Sequence, residues 1–188
     1  GATTATVTPT PTLTPTATRT ATATATSASA CPGNSLVANG CFETGTLTGW
    51  ETYSGSPSVT TGAKYSGTYG ANYPNGSSLR QTFTTVAGQT YTVSARLRIN
   101  SQSGSDWGGY RVEVMDYDWT SLNQSPMYTT ANSPLGTWTL VTFTFTAVST
   151  ESRIEVAQFS GPSLSMIGDW DEIAVVASSG AAPQDPSG

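Results

Sequence analysis

The chain has 188 residues, a formal net charge of −5 and only 10% charged residues. Its basic residues are scattered and Lys64 is the sole lysine, which argues against a nucleic-acid partner. No apolar run approaches the ~20 residues needed to span a bilayer. No signal-peptide pattern is present either, so an export signal would have been removed or lie outside this sequence.

The first feature along the chain is a register of threonines. Thr occupies every even position from 4 to 26: Thr4, Thr6, Thr8, Thr10, Thr12, Thr14, Thr16, Thr18, Thr20, Thr22, Thr24 and Thr26. The odd positions between them hold small or apolar residues apart from Arg19, with prolines at 9, 11 and 15. A period of two is that of an extended chain, whose successive side chains point to opposite sides. Thr/Pro/Ala tracts are commonly O-glycosylated stalks, so the twelve threonines are candidate O-glycan sites. Held straight at ~3.3 Å per residue, the tract would span roughly 75 Å. An ordered segment of that length has to lie along another body, most simply a neighbouring copy. Pro9, Pro11 and Pro15 lack N–H donors and suit a polyproline-like stretch. The proline-free 17–30 suits pairing at a sheet edge.

Cys31 and Cys41 follow, ten residues apart and flanked by Pro32-Gly33 and Asn39-Gly40, both turn signals. A disulfide clipping the tract to a folded domain is the first reading; two separate buried thiols is the alternative. With no other Cys and no His, zinc sites of the usual type are excluded. Asn75-Gly-Ser and Asn123-Gln-Ser fit the N-glycosylation acceptor pattern.

From Leu36 onward, short segments alternate between Gly/Pro/Asn/Ser turns. Tyr91, Val93, Ala95, Leu97 and Ile99 alternate with polar residues, as do Tyr110, Val112 and Val114. Trp138 and Leu140, with Thr142, Thr144 and Thr146, alternate with Val141, Phe143 and Phe145; Ile154, Val156, Ile173 and Val175 close the set. No helical period is sustained. The expected fold is all-β, an antiparallel β-sandwich. The expected organisation is an extended segment at 1–30, a sandwich at 31–177 and a tail at 178–188.

Five segments, in order, resemble the jelly-roll carbohydrate-binding modules associated with xylanases and glucanases. They are Leu36-Val-Ala-Asn-Gly-Cys-Phe-Glu-Thr-Gly with Gly49-Trp50; Gly62-Ala-Lys-Tyr-Ser-Gly-Thr-Tyr-Gly; Leu79-Arg-Gln-Thr-Phe with Gly88-Gln-Thr-Tyr-Thr-Val-Ser-Ala; Gly136-Thr-Trp-Thr-Leu-Val-Thr-Phe-Thr-Phe-Thr; and Asp169-Trp-Asp-Glu-Ile. The resemblance implies a jelly roll and often a structural calcium. The matching positions are the carboxylates of Glu43 and Asp171, with main-chain oxygens near Cys41 and Lys64. The alternative is a Glu43–Lys64 ion pair with no metal.

Sugar sites in such modules use aromatic faces flanked by polar groups. The candidates are Trp107, Tyr110, Tyr117, Trp119 and Tyr128, with Arg111 and Glu113, and with Arg96 and Arg98 expected beside Arg153 and Glu155 on neighbouring strands of the same face. Cross-strand ion pairs with ordinary surface aromatics are the competing reading. Trp50, Trp138 and Trp170 are assigned to core or rim packing. Glu43, Glu51, Glu113, Glu155, Asp169 and Asp171 supply carboxylates, but no local pattern sets two of them around a cleft, and no His exists for a triad. The chain is therefore expected not to be an enzyme. The expected function is a secreted or cell-surface structural subunit that polymerises head to tail, its glycosylated tract docking on the neighbouring sandwich; the alternative is a non-catalytic module that binds plant or microbial polysaccharide.

Overall fold

The computed structural model describes residues 1–2 and 31–178. The expectations placed on Thr4–Thr26, their glycans and their docking on a neighbour fall outside these residues, as does the tail beyond Ser178.

Among the described residues the chain forms ten strands. They are β1 (Glu51–Ser54), β2 (Ser58–Thr60), β3 (Gly70–Tyr73), β4 (Ser78–Thr84) and β5 (Thr90–Ser103), then β6 (Gly108–Asp116), β7 (Ser121–Gln124), β8 (Trp138–Thr146), β9 (Glu151–Ser160) and β10 (Ser165–Ala177). One 3₁₀ turn, Thr61–Ala63, is capped by the Thr60 side chain. The strands build two five-stranded antiparallel sheets, in the orders β1-β4-β9-β6-β7 and β2-β3-β10-β5-β8. The expected all-β sandwich is what forms.

Alternation explains how the sheets close on each other. Tyr91, Val93, Ala95, Leu97 and Ile99 are buried along β5, while the residues between them are half-exposed. Leu79 and Phe83 point inward from β4, Val112 and Val114 from β6, Ile154 and Val156 from β9, and Ile173 and Val175 from β10. All belong to one core, whose burial is the main favourable term for the fold. Phe145 of β8 bridges the sheets, with its ring 6.4 Å from Phe83 and 5.3 Å from Tyr91.

Trp50 and Trp170 lie in the core as expected, whereas Trp138 is half-buried on an outer face. Trp170 is fully buried and meets the Tyr110 ring edge-on at 6.2 Å. That ring sits over Gly168, where a Cβ would come within 2.7 Å of the Tyr110 Cζ. Glycine is what lets β10 pass beneath the tyrosine.

The segment before β1 is stapled to β10. Leu36 N–H donates to the Val175 carbonyl (2.8 Å) and Ile173 N–H to the Gly40 carbonyl (2.9 Å). The Cys31–Cys41 disulfide forms, with Cα atoms 5.9 Å apart. Closing a ten-residue loop limits the unfolded chain and contributes about 2–3 kcal/mol. Replacing both cysteines with serine is expected to lower stability by that amount of about 2–3 kcal/mol, read from urea unfolding with midpoint and slope fitted together.

Candidate functional site

The outer face of β1-β4-β9-β6-β7 gathers most of the exposed chemistry. Strand register sets Glu51 opposite Arg80, Arg80 opposite Glu155, Glu155 opposite Glu113, and Glu113 opposite Gln124. That row crosses all five strands, roughly 19 Å at ~4.8 Å per strand. Parallel to it run Thr82, Arg153, Met115 and Ser121.

Three arginines rise from this face, each tied to a carboxylate. Arg80 Nη2 lies 3.0 Å from Glu155, Arg111 Nη2 2.8 Å from Glu113, and Arg153 Nη2 3.1 Å from Glu151. Glu155 also accepts from Ser78 Oγ at 2.6 Å. Aromatic rings bracket the guanidinium groups. The Arg80 Cζ lies 3.1 Å from the centre of the Tyr53 ring and 4.6 Å from that of Trp119. Arg153 stacks on Trp119 at 4.4 Å and Arg111 on Phe159 at 4.8 Å. Tyr53 is 58% exposed and Trp119 49% exposed. The Nε–H groups of Arg80 and Arg111 are buried with no acceptor among the described residues. Leaving a buried donor unpaired costs about 1–3 kcal/mol.

Trp119 reaches this position through backbone strain. It ends the β6–β7 turn at φ 71°, in the left-handed region that costs a side-chain-bearing residue about 1–2 kcal/mol. The turn holds it there. Trp119 N–H donates to the Asp116 carbonyl (3.1 Å), Asp116 N–H to the Thr120 carbonyl (2.8 Å), and Thr120 N–H to Asp118 Oδ1 (3.1 Å). That last bond holds the exposed Asp118 carboxyl below its ordinary range. Glycine is the usual residue at such a turn position; here an indole is thrown back over the sheet.

The sequence-predicted sugar residues divide into three groups. Arg111, Glu113 and Trp119 meet on this face, with Arg153 and Glu155 as expected. Tyr117 is exposed in the same turn, and Trp107 is 65% exposed on the β5–β6 loop. Tyr110 is a correction: it is fully buried, its hydroxyl donates to the Tyr73 carbonyl (3.0 Å), and burial raises its pKa far above the ordinary phenol value. Its alternation with Arg111 puts it on the inner face. Tyr128 is half-buried and pairs with the Tyr110 backbone through two bonds of 2.8 and 2.9 Å. Arg96 and Arg98 are a second correction. They stand on β5, in the other sheet, where they pair with Glu172 and Asp169. Tyr53, Arg80 and Phe159 were missed; their signal lay in strand pairing, because Tyr53 comes from a four-residue edge strand with no alternation.

Glu155 and Glu113 are cross-strand neighbours, the nearest thing on this face to a hydrolytic pair. Each is held by an arginine, and Glu155 also by the Ser78 hydroxyl.

The implied calcium position lies elsewhere, at the 64–69 loop. Asp171 is buried; its Oδ2 accepts from the N–H groups of Tyr65 (2.7 Å) and Ser66 (3.1 Å), and its Oδ1 from Glu172 (2.7 Å). Burial pushes its pKa up to about 6. Glu43 accepts from the Thr68 and Tyr69 N–H groups at 3.0–3.1 Å, so backbone donors, not Lys64, hold this carboxylate. Among the described residues no three His, Cys, Asp or Glu side chains cluster as a metal site. Two carboxylates gripping one loop nevertheless offer oxygen donors of the kind calcium takes. Of the N-glycosylation candidates, both exposed, Asn75 accepts from Met166 N–H (3.2 Å) and Asn123 donates its Nδ2 to the Thr144 carbonyl (2.6 Å).

A family model described as a carbohydrate binding domain matches residues 34–165. No curated protein matches the sequence. Among solved structures, TmCBM61 in complex with β-1,4-galactotriose aligns at TM-score 0.57 and 18% identity, over 77% of this chain and 99% of that one. A family 16 carbohydrate-binding module aligns at 0.56 and 21%, over 75% and 99%. The CBM22-1 xylan-binding domain of Xyn10C from Paenibacillus barcinonensis aligns at 0.52 and 14%, over 73% and 90%. At these identities the likeness shows a shared fold.

Proposed function

Because the chain belongs to the carbohydrate binding domain family, we propose that it is a non-catalytic, secreted module that binds a neutral polysaccharide across the β1-β4-β9-β6-β7 face. One observation carries this reading. Tyr53 and Trp119 are both exposed and both pack against Arg80, whose guanidinium is fixed by Glu155. Rings offer apolar faces to the C–H sides of a sugar, and fixed donors select its hydroxyls. The three arginines are matched by Glu155, Glu113 and Glu151, so the face carries no excess positive charge that would favour an anionic polymer. The ring–arginine stacks also hold both aromatic side chains in place before a ligand arrives, which limits the ordering cost of binding.

Affinity electrophoresis through gels containing xylan, mixed-linkage β-glucan or β-1,4-galactan tests the reading. At least one polymer should retard the protein, and Tyr53→Ala should weaken that retardation about 10-fold or more, as expected for a central aromatic anchor. Equal mobility of the two proteins in every gel would sink it.

Calcium is proposed as a structural ion, held by Glu43 and Asp171 with the carbonyls of Cys41 and Lys64. When bound, it would tie the segment before β1 to β10 and neutralise the buried Asp171 carboxylate. Added Ca²⁺ is expected to raise Tm and chelation to lower it, with Asp171→Ala losing the response; a Tm indifferent to Ca²⁺ rejects the site. The family favours polysaccharide binding over the homopolymer expected from Thr4–Thr26, a segment that lies outside the described residues.

A further inference from the structure

We propose that the opposite sheet carries a second, independent polysaccharide site, centred on Tyr65 and Trp138. It shares the ligand class of the first face but none of its residues. Tyr65, from the loop after the 3₁₀ turn, and Trp138, at the start of β8, meet edge to face at 5.4 Å. Arg96 lies over Tyr65 at 4.5 Å and Arg98 over Trp138 at 4.7 Å. The two arginines are two residues apart on β5, so they share the outer face, where register sets them opposite Leu140 and Trp138.

Each arginine is tied to a carboxylate. Arg98 Nη2 lies 2.6 Å from Asp169, which Asn72 (2.9 Å) and Asn100 (2.7 Å) also contact. Arg96 Nε lies 3.7 Å from Glu172. The first face repeats the same unit: ring, guanidinium over the ring, carboxylate behind the guanidinium.

Two further observations point to recognition rather than packing. Tyr65 is 41% exposed and Leu140 50% exposed, so the apolar surface is open to solvent although it is interleaved with charge. Glu172 sits at φ 50°, where β10 skips register between Asp171 and Ala174. That strained bulge turns its carboxylate onto Ser66 Oγ (2.7 Å) and towards Arg96. Bulges and left-handed side-chain-bearing residues in mid-strand recur where a side chain is re-aimed for function.

The occupant follows from the charges. Arg96 and Arg98 are balanced by Glu172 and Asp169, so the patch suits an uncharged, hydroxyl-rich chain rather than an anionic or cationic one. The open apolar area is broken by polar groups, unlike the contiguous patches that bind protein. Sites on opposite sheets would let one molecule hold two polymer chains, which multiplies retention on a dense polysaccharide.

The same three gels separate the two faces, using intact protein, Tyr53→Ala, Tyr65→Ala, Leu140→Arg and the double variant Tyr53→Ala/Tyr65→Ala. Tyr65 and Leu140 are exposed, so both changes leave the core intact; thermal unfolding checks this. Tyr65→Ala is expected to weaken retardation roughly 3- to 10-fold, the worth of one aromatic contact, and Leu140→Arg to weaken it as well by placing a charge on the patch. Tyr53→Ala should keep part of its retardation and the double variant should lose it. Folded Tyr65→Ala and Leu140→Arg proteins that run as the intact chain does, with Tyr53→Ala abolishing retardation, would overturn the second site and leave the first standing. The reverse pattern would overturn the first and uphold the second. No retardation of the intact protein by any polymer would overturn both.

Discussion

Trp119→Ala and Trp119→Gly are expected to lose polysaccharide binding equally, by about 30-fold or more, as for an interface hot spot, yet to differ in stability. Both delete the indole and its stacks on Arg80 and Arg153, worth about 0.5–1 kcal/mol each. Alanine keeps a Cβ at φ 71° and so keeps about 1–2 kcal/mol of backbone strain. Glycine releases that strain and returns the turn to its preferred residue. Trp119→Gly should therefore unfold close to the intact protein, a few degrees above Trp119→Ala, since each kcal/mol moves Tm by roughly 2–4 °C in a domain this size. Equal stability of the two variants would show that the turn stores no strain. Undiminished binding by either would remove Trp119 from the site.

Trp170→Ala is expected to be the most damaging single change in the sandwich. The side chain is fully buried on β10, a central strand paired with β3 and β5, and its ring abuts Tyr110. Its removal opens a cavity that the rigid sheets cannot close, at a cost of about 3–5 kcal/mol. That is a drop in Tm of roughly 6–20 °C. Trp170→Phe should recover much of this, because it keeps a ring against Tyr110 and removes an indole N–H that is buried without an acceptor among the described residues. A loss below about 1 kcal/mol in Trp170→Ala, the range of surface changes, would contradict this view of the core.

The sandwich was legible because burial on one face writes itself into the chain as a period of two. The run from Tyr91 to Ile99 and the run from Tyr110 to Val114 each show which side chains turn inward. The same rule excluded Tyr110 from a surface site, since it alternates with Arg111; its phenol had invited the opposite assignment. Period two reports the face of a strand but not its sheet. Arg96 and Arg98 on β5, and Arg153 and Glu155 on β9, look alike in sequence, yet β5 pairs with β10 and β8 while β9 pairs with β4 and β6. That choice is made by long-range pairing. Tyr53 was invisible for a related reason: a four-residue edge strand is too short to show a pattern. It becomes informative only once Glu51 is set opposite Arg80.

The bond from Leu36 to Val175 places the start of the folded domain beside its last strand. A folded unit whose two ends adjoin needs only a narrow gap in a host chain, so it can be spliced into a surface loop of an unrelated protein without prying that protein apart. It can equally hang from one point like a pendant, turning about its attachment.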